Sequence, residues 1–202
     1  PSSINLPNLQ KLYLDSTGLT GEIPPSLCLS TSLRAVEINY TGVNGSIPDC
    51  FLTELTALES LWLGDIDLSI GSLLSSINLL PNLQYLMLYD LELTGTIPDA
   101  VCQLTALISL GLNSNHLAGT LPSCLGNLQN IEYLGVGFNM FEGTIPNSFA
   151  NLTNLWALEL YNNNFHGGFP TLDSALEVLH IGSNQFTGTL PASLGSLKSL
   201  TL

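Results

Sequence analysis

Residues 107–122 read LISLGLNSNHLAGTLP, and this stretch decides the fold. Its apolar residues follow the spacing L-x-x-L-x-L-x-x-N-x-L, and the Leu-x-Leu pair, or a Val/Ile equivalent, recurs along the chain. The pairs are Leu12/Leu14, Val36/Ile38, Leu61/Leu63, Leu86/Leu88, Leu110/Leu112, Leu134/Val136, Leu158/Leu160 and Leu179/Ile181. Successive pairs lie 24, 25, 25, 24, 24, 24 and 21 residues apart. This period predicts a solenoid, because one such turn cannot bury its apolar side chains without its neighbours.

Each turn carries the signals of a strand followed by a sharp bend. Apolar and polar residues alternate around the Leu-x-Leu pair, which predicts a short strand with its leucines inward. A Gly-x-(Ile/Leu)-Pro motif, with Phe in the third place at 167–170, follows at 21–24, 45–48, 95–98, 119–122, 143–146, 167–170 and 188–191. Glycine permits the bend, and proline favours the first position of a short helical or 3₁₀ turn. We therefore expect a parallel sheet on the concave face and short helical turns on the convex face.

The combined pattern L-x-x-L-x-L-x-x-N-x-L-x-G-x-I-P resembles the plant-specific class of leucine-rich repeats. That class includes receptor-kinase ectodomains, receptor-like proteins and polygalacturonase-inhibiting proteins, and the resemblance covers residues 6–202. It implies an α/β solenoid, wound as a right-handed superhelix, with a second short sheet near the Thr-Gly-x-Ile segment. It also implies an extracellular location and ligand binding on the concave face.

The first half of the chain departs from this pattern. The Asn of the repeat is present at Asn115, Asn139, Asn163 and Asn184, whereas the same slot holds Thr17, Thr41, Ile66 and Leu91 in the earlier turns. A buried Asn can bond the backbone of the adjoining turn, which Ile and Leu cannot do. The third turn also lacks the Gly-x-Ile-Pro motif, so we expect altered geometry around the third and fourth turns. This departure reflects either neutral drift or a shaped binding region next to Trp62.

The repeats predict one domain over residues 1–202, with eight turns and the start of a ninth at Leu200/Leu202. Terminal repeats of an array need polar caps, and none precedes Leu6 or follows Leu202. We therefore expect a fragment of a longer array. No run of 18 apolar residues is present, so we expect no membrane insertion by this piece.

The charge of the chain restricts its partners. Sixteen acidic residues against three basic ones give a net charge of −13. Such a surface repels phosphate backbones, which argues against nucleic-acid binding. It favours a basic protein or peptide, or a neutral glycan, although solubility alone also accounts for an acidic surface.

The four cysteines fall into two matched pairs. Cys28 and Cys102 lie four residues after their prolines, and Cys50 and Cys124 lie two residues after theirs. Each pair therefore sits in adjacent turns on the convex side, where stacked positions are about 4.8 Å apart and within disulfide reach. We predict the bridges Cys28–Cys50 and Cys102–Cys124, which would place the protein outside the cytosol. The alternative is four reduced thiols that pack as small apolar residues.

Three segments match the N-glycosylation sequon, at Asn39, Asn44 and Asn151. Asn151 is the best candidate because it falls on the convex turn. A sugar on Asn39 would stand on the concave sheet and block it.

The predicted binding surface is the concave face, where every tyrosine lies and none occupies a leucine position. Exposed aromatic residues that the core does not need are typical of binding hot spots, although tyrosine is also a good strand residue. Our candidates are Tyr13, Asp15, Glu37, Tyr40, Trp62, Asp65, Tyr85, Tyr89, Asp90, Tyr133, Phe138, Glu159, Tyr161 and His180. By contrast, Phe141, Phe149, Phe165 and Phe186 occupy core positions. His180 could form a pH-sensitive contact.

Catalytic and metal sites are not predicted. The carboxylates are scattered singly, and no Gly-x-Ser-x-Gly, His-Glu-x-x-His, phosphate-loop or calcium-loop motif occurs. We therefore predict neither an enzyme nor a cofactor. The leading hypothesis is an extracellular recognition module, receptor-like or of the cell-wall enzyme-inhibitor type, that binds a peptide, protein or glycan. The alternative is a structural or adhesive scaffold of the cell wall or matrix, in which the repeats mainly space other domains.

Overall fold

A computed structural model describes residues 6–172 and 176–189. Each of the eight described turns contributes one strand to a parallel sheet whose spatial order follows the chain. The strands are β1 (Lys11–Tyr13), β3 (Ala35–Asn39), β5 (Ser60–Gly64), β7 (Tyr85–Tyr89), β9 (Ser109–Gly111), β11 (Tyr133–Gly135), β13 (Ala157–Glu159) and β15 (Val178–His180). The predicted solenoid is confirmed. The predicted ninth turn at Leu200/Leu202 and the end of the motif at 188–191 lie outside the described residues.

The register of the sheet stacks the first leucine of every pair on its counterpart. Leu61 aligns with Leu86, and Leu110 aligns with Leu134. These side chains belong to one continuous core that runs from Ile23 to Leu179. Phe141, Phe149 and Phe165 are fully buried and Phe186 packs against the core, as predicted. Burial of the leucines fixes which strand residues face solvent, since neighbouring side chains point to opposite faces.

Short helical turns lie on the opposite side of each coil. One is α-helical, α1 (Cys50–Glu54), and the others are 3₁₀ turns at Pro25–Leu29, Leu74–Leu79, Val101–Gln103, Ser123–Asn127 and Asn147–Asn151. Adjacent strands lie about 4.8 Å apart, which is closer than helices pack. The strand side is therefore the inside of the curve, and we call the solvent-facing side of the eight-stranded sheet the concave face.

A second set of strands follows the first in each turn, and it is interrupted. Strands β2 (Thr20–Glu22), β4 (Gly42–Ser46) and β6 (Asp67–Ser69) form one sheet. Strands β8 (Thr94–Gly95), β10 (His116–Gly119), β12 (Met140–Gly143), β14 (Asn164–Gly167) and β16 (Gln185–Phe186) form another. The break lies between the third and fourth turns, where Ile66 and Leu91 replace the Asn of the repeat. This confirms the expected change in local geometry.

The buried asparagines connect each turn to the one before it. The Oδ1 atom of Asn115 accepts hydrogen bonds from the backbone N–H groups of Leu91 and Leu93 at 3.1 Å, and its Nδ2 donates to the carbonyl of Leu88 at 2.9 Å. One and two turns later, Asn139 and Asn163 each accept from one N–H and donate to one carbonyl of the preceding turn in the same way. These side chains supply partners that the irregular backbone would otherwise lack.

Both predicted disulfides are present, Cys28–Cys50 and Cys102–Cys124. Each joins adjacent helical turns and closes a loop with a sequence separation of 22 residues. A loop of this size constrains the unfolded chain by about 3 kcal/mol.

The variant Cys28→Ser/Cys50→Ser is therefore expected to lose about 3 kcal/mol of unfolding free energy in urea denaturation followed by circular dichroism. The matched variant Cys102→Ser/Cys124→Ser should lose a similar amount, because its loop has the same length. A loss below about 0.5 kcal/mol in both variants would show that the bridges do not constrain the unfolded chain.

Candidate functional site

All six tyrosines lie in or just beyond the strands of the concave face, as predicted. Tyr13, Tyr85, Tyr89 and Tyr133 lie within β1, β7 and β11, whereas Tyr40 and Tyr161 follow β3 and β13. Tyr13 and Tyr85 are exposed, and within the described part of the chain neither ring packs against another aromatic ring. Tyr40, Tyr89 and Tyr161 instead take part in aromatic contacts.

Two tyrosine rings lie flat on the sheet over glycines of the preceding turn. A Cβ atom added to Gly137 would lie 2.6, 2.7 and 2.9 Å from three consecutive ring atoms of Tyr161. Three nearly equal distances place the face of the ring over the glycine. A Cβ atom on Gly64 would overlap the Tyr89 ring in the same way. Gly64 ends β5 and Gly137 lies just beyond β11. Glycine at such positions marks a close approach by another group, and here that group is a tyrosine ring.

Each flat ring is accompanied by an aromatic residue in a strained backbone position. The residue two places after the second leucine of each pair has a positive φ, between 50° and 57°, in all eight described turns. Six turns place Ser, Asp or Asn there, namely Ser16, Asp65, Asp90, Ser114, Asn162 and Ser183. The other two place Tyr40 and Phe138, for which this conformation is costly. Their side chains are nevertheless 57% and 53% exposed, so packing in the core does not explain them.

These residues form two pairs of rings. Tyr40 and Tyr89 have ring centroids 6.2 Å apart, and we call them the first aromatic pair. Phe138 and Tyr161 meet edge to face at 5.1 Å and form the second aromatic pair. Strained residues persist where the surrounding structure holds them, and they concentrate at functional sites.

The first aromatic pair lies in a negative environment. Burial and then the neighbouring Tyr40 raise the pKa of Tyr89 to about 12, with further contributions from Asp15 and Asp65. Burial and the charge of Asp15 raise the pKa of Glu37, and Lys11 opposes this shift. Carboxylates that repel one another in this way favour a cation above the face.

A hydrogen-bonded network adjoins the second aromatic pair. The Tyr133 hydroxyl donates to Glu159 Oε2 at 2.8 Å, and Asn113 Nδ2 contacts both the Tyr133 oxygen at 2.9 Å and Glu159 Oε2 at 3.2 Å. Burial followed by the bond to Glu159 raises the pKa of Tyr133. Asn113 Oδ1 accepts a hydrogen bond from the N–H of Gly137 at 2.6 Å. This bond links the network to the glycine that the Tyr161 ring covers.

Glu159 has no lysine or arginine partner among the described residues. Its nearest basic group is His180 Nδ1, at 3.7 Å from Oε1. The His180 ring also meets Tyr161 edge to face, with centroids 6.0 Å apart. The structure therefore brings Tyr133, Glu159, Tyr161 and His180 together around a carboxylate that Tyr133 and Asn113 hold in place.

Other predicted residues lie outside these two clusters. Asp65 and Asp90 line an open hollow of about 580 Å³ on the flank, beside the break in the second sheet, together with Asp67 and Glu92. Trp62 does not line that hollow. It lies in β5 next to Glu37 and Met87, and its buried Nε1 has no hydrogen-bond partner.

Sequence reasoning missed several features of this surface. Trp156 precedes β13 and is 40% exposed, which marks it as an aromatic residue that the core does not use. Met87 lies over Gly111, with its Cε 2.5 Å from a Cβ added there. The glycines at strand positions were the available signal, because such glycines indicate the close approach of a neighbouring side chain.

The sequons differ in accessibility. Asn39 is 4% exposed, and its Nδ2 donates to Asp15 Oδ1 at 2.6 Å, so the folded structure argues against glycosylation there. Asn44 lies within β4 and is half-buried. Asn151 is exposed at the end of a 3₁₀ turn and stays the best-placed candidate. In the described part of the chain, no helix has the length and apolar character needed to cross a membrane.

Comparisons with known proteins relate the chain to plant receptors. A family model for the Leucine Rich Repeat matches residues 8–29, 106–128, 130–152 and 175–197. The Arabidopsis receptor kinase HAESA, solved with the peptide hormone IDA and the co-receptor SERK1, is 31% identical over 97% of this chain and 33% of that chain, with a TM-score of 0.88. A TDR receptor is 36% identical over 95% of this chain and 33% of that chain, with a TM-score of 0.86.

The same fold also occurs in a different kind of protein. A plant ice-binding protein is 26% identical over 87% of this chain and 57% of that chain, with a TM-score of 0.76. The chain spans about a third of the length of the two receptors. A comparison with curated protein sequences finds no match.

Proposed function

Because the chain belongs to the leucine-rich-repeat proteins of the plant type, we propose that it is an extracellular module that binds a peptide on its concave face. The observation that carries this proposal is the pair of exposed, strained aromatic residues, Tyr40 and Phe138, each beside a tyrosine that lies flat on the sheet. Aromatic residues that the core does not require are typical of binding hot spots.

Charge and covalent structure support the same proposal. The concave face carries Asp15, Glu37 and Glu159, which complement a basic peptide better than an acidic one. Two disulfides are typical of proteins outside the cytosol. HAESA, a similar receptor, was solved with a peptide hormone bound. The ice-binding neighbour shows why the fold alone does not decide function, so the proposal rests on the site.

We propose recognition and not catalysis for this surface. Glu159 is held by Tyr133 and Asn113 and not by a second carboxylate. Paired carboxylates that flank a substrate are the usual arrangement in glycosidases. An open sheet also does not exclude water in the way a catalytic site requires.

The proposal is tested by capture of peptides from a plant secreted fraction. The immobilised chain is compared with the concave variant Tyr89→Ala/Tyr161→Ala and with the convex control Leu29→Ala/Leu79→Ala. The two control leucines are 58% and 46% exposed on helical turns, so their loss should disturb neither face nor core.

The wild-type chain and the convex control are expected to enrich the same peptides. The concave variant should recover at least about tenfold less, with an unchanged circular dichroism spectrum. Equal recovery by the concave variant would reject the proposal. Self-association in sedimentation, with no peptide captured, would favour the scaffold alternative.

A further inference from the structure

The two aromatic pairs share a flat tyrosine and differ in where the strained residue lies: Tyr40 is two turns before Tyr89, and Phe138 is one turn before Tyr161. In each, a strained aromatic residue stands beside a tyrosine whose ring covers a glycine, namely Gly64 in the third turn and Gly137 in the sixth. Both glycines occupy the position that follows the second leucine of their pair. Three steps of about 4.8 Å separate the two covered glycines by about 14 Å along the sheet.

This distance matches an extended peptide. Four residues of extended chain span about 13 Å, and side chains four positions apart point to the same side. We propose that one extended peptide lies along the concave face with two apolar or aromatic side chains at positions i and i+4, one against each aromatic pair. This inference rests on the proposed function and specifies the ligand of the same surface.

The surface between the pairs is shallow and adaptable. Met87 lies across Gly111 in the intervening turns, and methionine is a flexible side chain that accepts varied neighbours. The peptide residues between the two anchoring side chains can therefore vary in size and shape. Specificity comes from the anchor spacing and from charge.

Charge defines the second requirement on the peptide. Asp15 and Glu37 lie near the first aromatic pair, and Glu159 lies near the second. The described lysine and arginine residues are Lys11 and Arg34, both in the first two turns, and Arg34 is bound to Glu59 at 2.7 Å. Lysine or arginine next to the anchors would therefore meet carboxylates that have no lysine or arginine partner among the described residues, together with exposed aromatic rings.

The test uses synthetic peptides of lysine, serine and glycine that carry two phenylalanines separated by two, three, four, five or six positions. A single-phenylalanine peptide and a version with glutamate in place of lysine serve as controls. Affinity is measured by fluorescence anisotropy. The i+4 peptide should bind at least about tenfold more tightly than the single-phenylalanine peptide and the glutamate version. Three results would overturn the inference: no spacing binds best, another spacing binds best, or no peptide binds.

Two variants test the assignment of the anchors. Tyr40→Ser and Phe138→Ser introduce a residue type that other turns tolerate at the same left-handed position. Each should reduce the affinity of the i+4 peptide to that of the single-phenylalanine peptide, while thermal stability stays equal or rises. Asn162→Ser, at the same position of the seventh turn, is the matched control. It should change neither the affinity of the i+4 peptide nor the thermal stability. A spacing optimum that survives both anchor substitutions would contradict the assignment.

Failure here is distinguishable from failure of the proposed function. If secreted peptides are captured through Tyr89 and Tyr161 but the synthetic series shows no optimum at i+4, the two-anchor inference alone is wrong. If the secreted-fraction experiment also shows no dependence on the concave face, the proposed function is wrong as well.

Discussion

Replacement of Asn139 by alanine is expected to lower the unfolding free energy by about 4 kcal/mol, because it leaves the buried N–H of Leu117 without its side-chain partner and removes three further bonds to buried carbonyls. Asn139 Nδ2 donates to the carbonyls of Leu112, Val136 and Gly137 at 2.9, 3.1 and 3.2 Å. Its Oδ1 accepts from the N–H of Leu117 at 2.9 Å. Alanine can replace none of these bonds, and water cannot easily reach a site that is buried.

The matched control for this substitution is Thr17→Ala, in the same slot of the first turn. Thr17 is exposed, and its hydroxyl bonds one carbonyl, that of Leu14, at 2.8 Å. We expect it to cost less than about 1 kcal/mol, since water can replace the lost bond. Both values come from urea denaturation followed by circular dichroism. Equal costs for the two variants would show that burial of the asparagine does not stabilise the stacked turns.

A double substitution of glycines, Gly64→Ala/Gly137→Ala, is expected to weaken binding of the i+4 phenylalanine peptide by about a hundredfold. Each added methyl group would overlap a tyrosine ring, so Tyr89 and Tyr161 would have to lift off the sheet. Loss of one anchor is expected to lower the affinity for the peptide about tenfold, and effects at well-separated sites add as free energies. The glycines act by positioning the tyrosines.

The chain contains a close control for this variant. Gly182 occupies the same position in the eighth turn, and a Cβ atom added there would meet no atom within 4 Å. Gly182→Ala should therefore bind the peptide as tightly as the wild type. If Gly64→Ala/Gly137→Ala also bound as tightly, flat tyrosines would not be needed for recognition.

The sequence predicted those features that depend on spacing within one repeat. The leucine period determines which residues stack, so the eight-stranded sheet and its register followed from it. The offsets of Cys28 and Cys50 from their prolines placed both thiols on neighbouring convex turns, and the bridge is present. The change of geometry near Ile66 and Leu91 also followed, because neither side chain can replace the missing asparagine.

Features that depend on contacts between turns could not be predicted in the same way. Tyr161 and Gly137 are far apart in sequence, and only the stacked structure shows that the ring of one covers the other. Asp65 has a left-handed backbone at the edge of the sheet, lines the flank and also acts on the pKa of Tyr89, so its role in binding stays a prediction. Position within the repeat therefore predicted burial well, whereas contacts between turns required the structure.

The most direct test of peptide recognition on the concave face is hydroxyl-radical footprinting of the chain with and without the i+4 phenylalanine peptide. Protection of Tyr89, Phe138 and Tyr161 is expected, with unchanged labelling of Leu29 and Leu79 on the convex turns. Protection of the convex leucines, with unchanged labelling of the three aromatic residues, would contradict peptide recognition on the concave face.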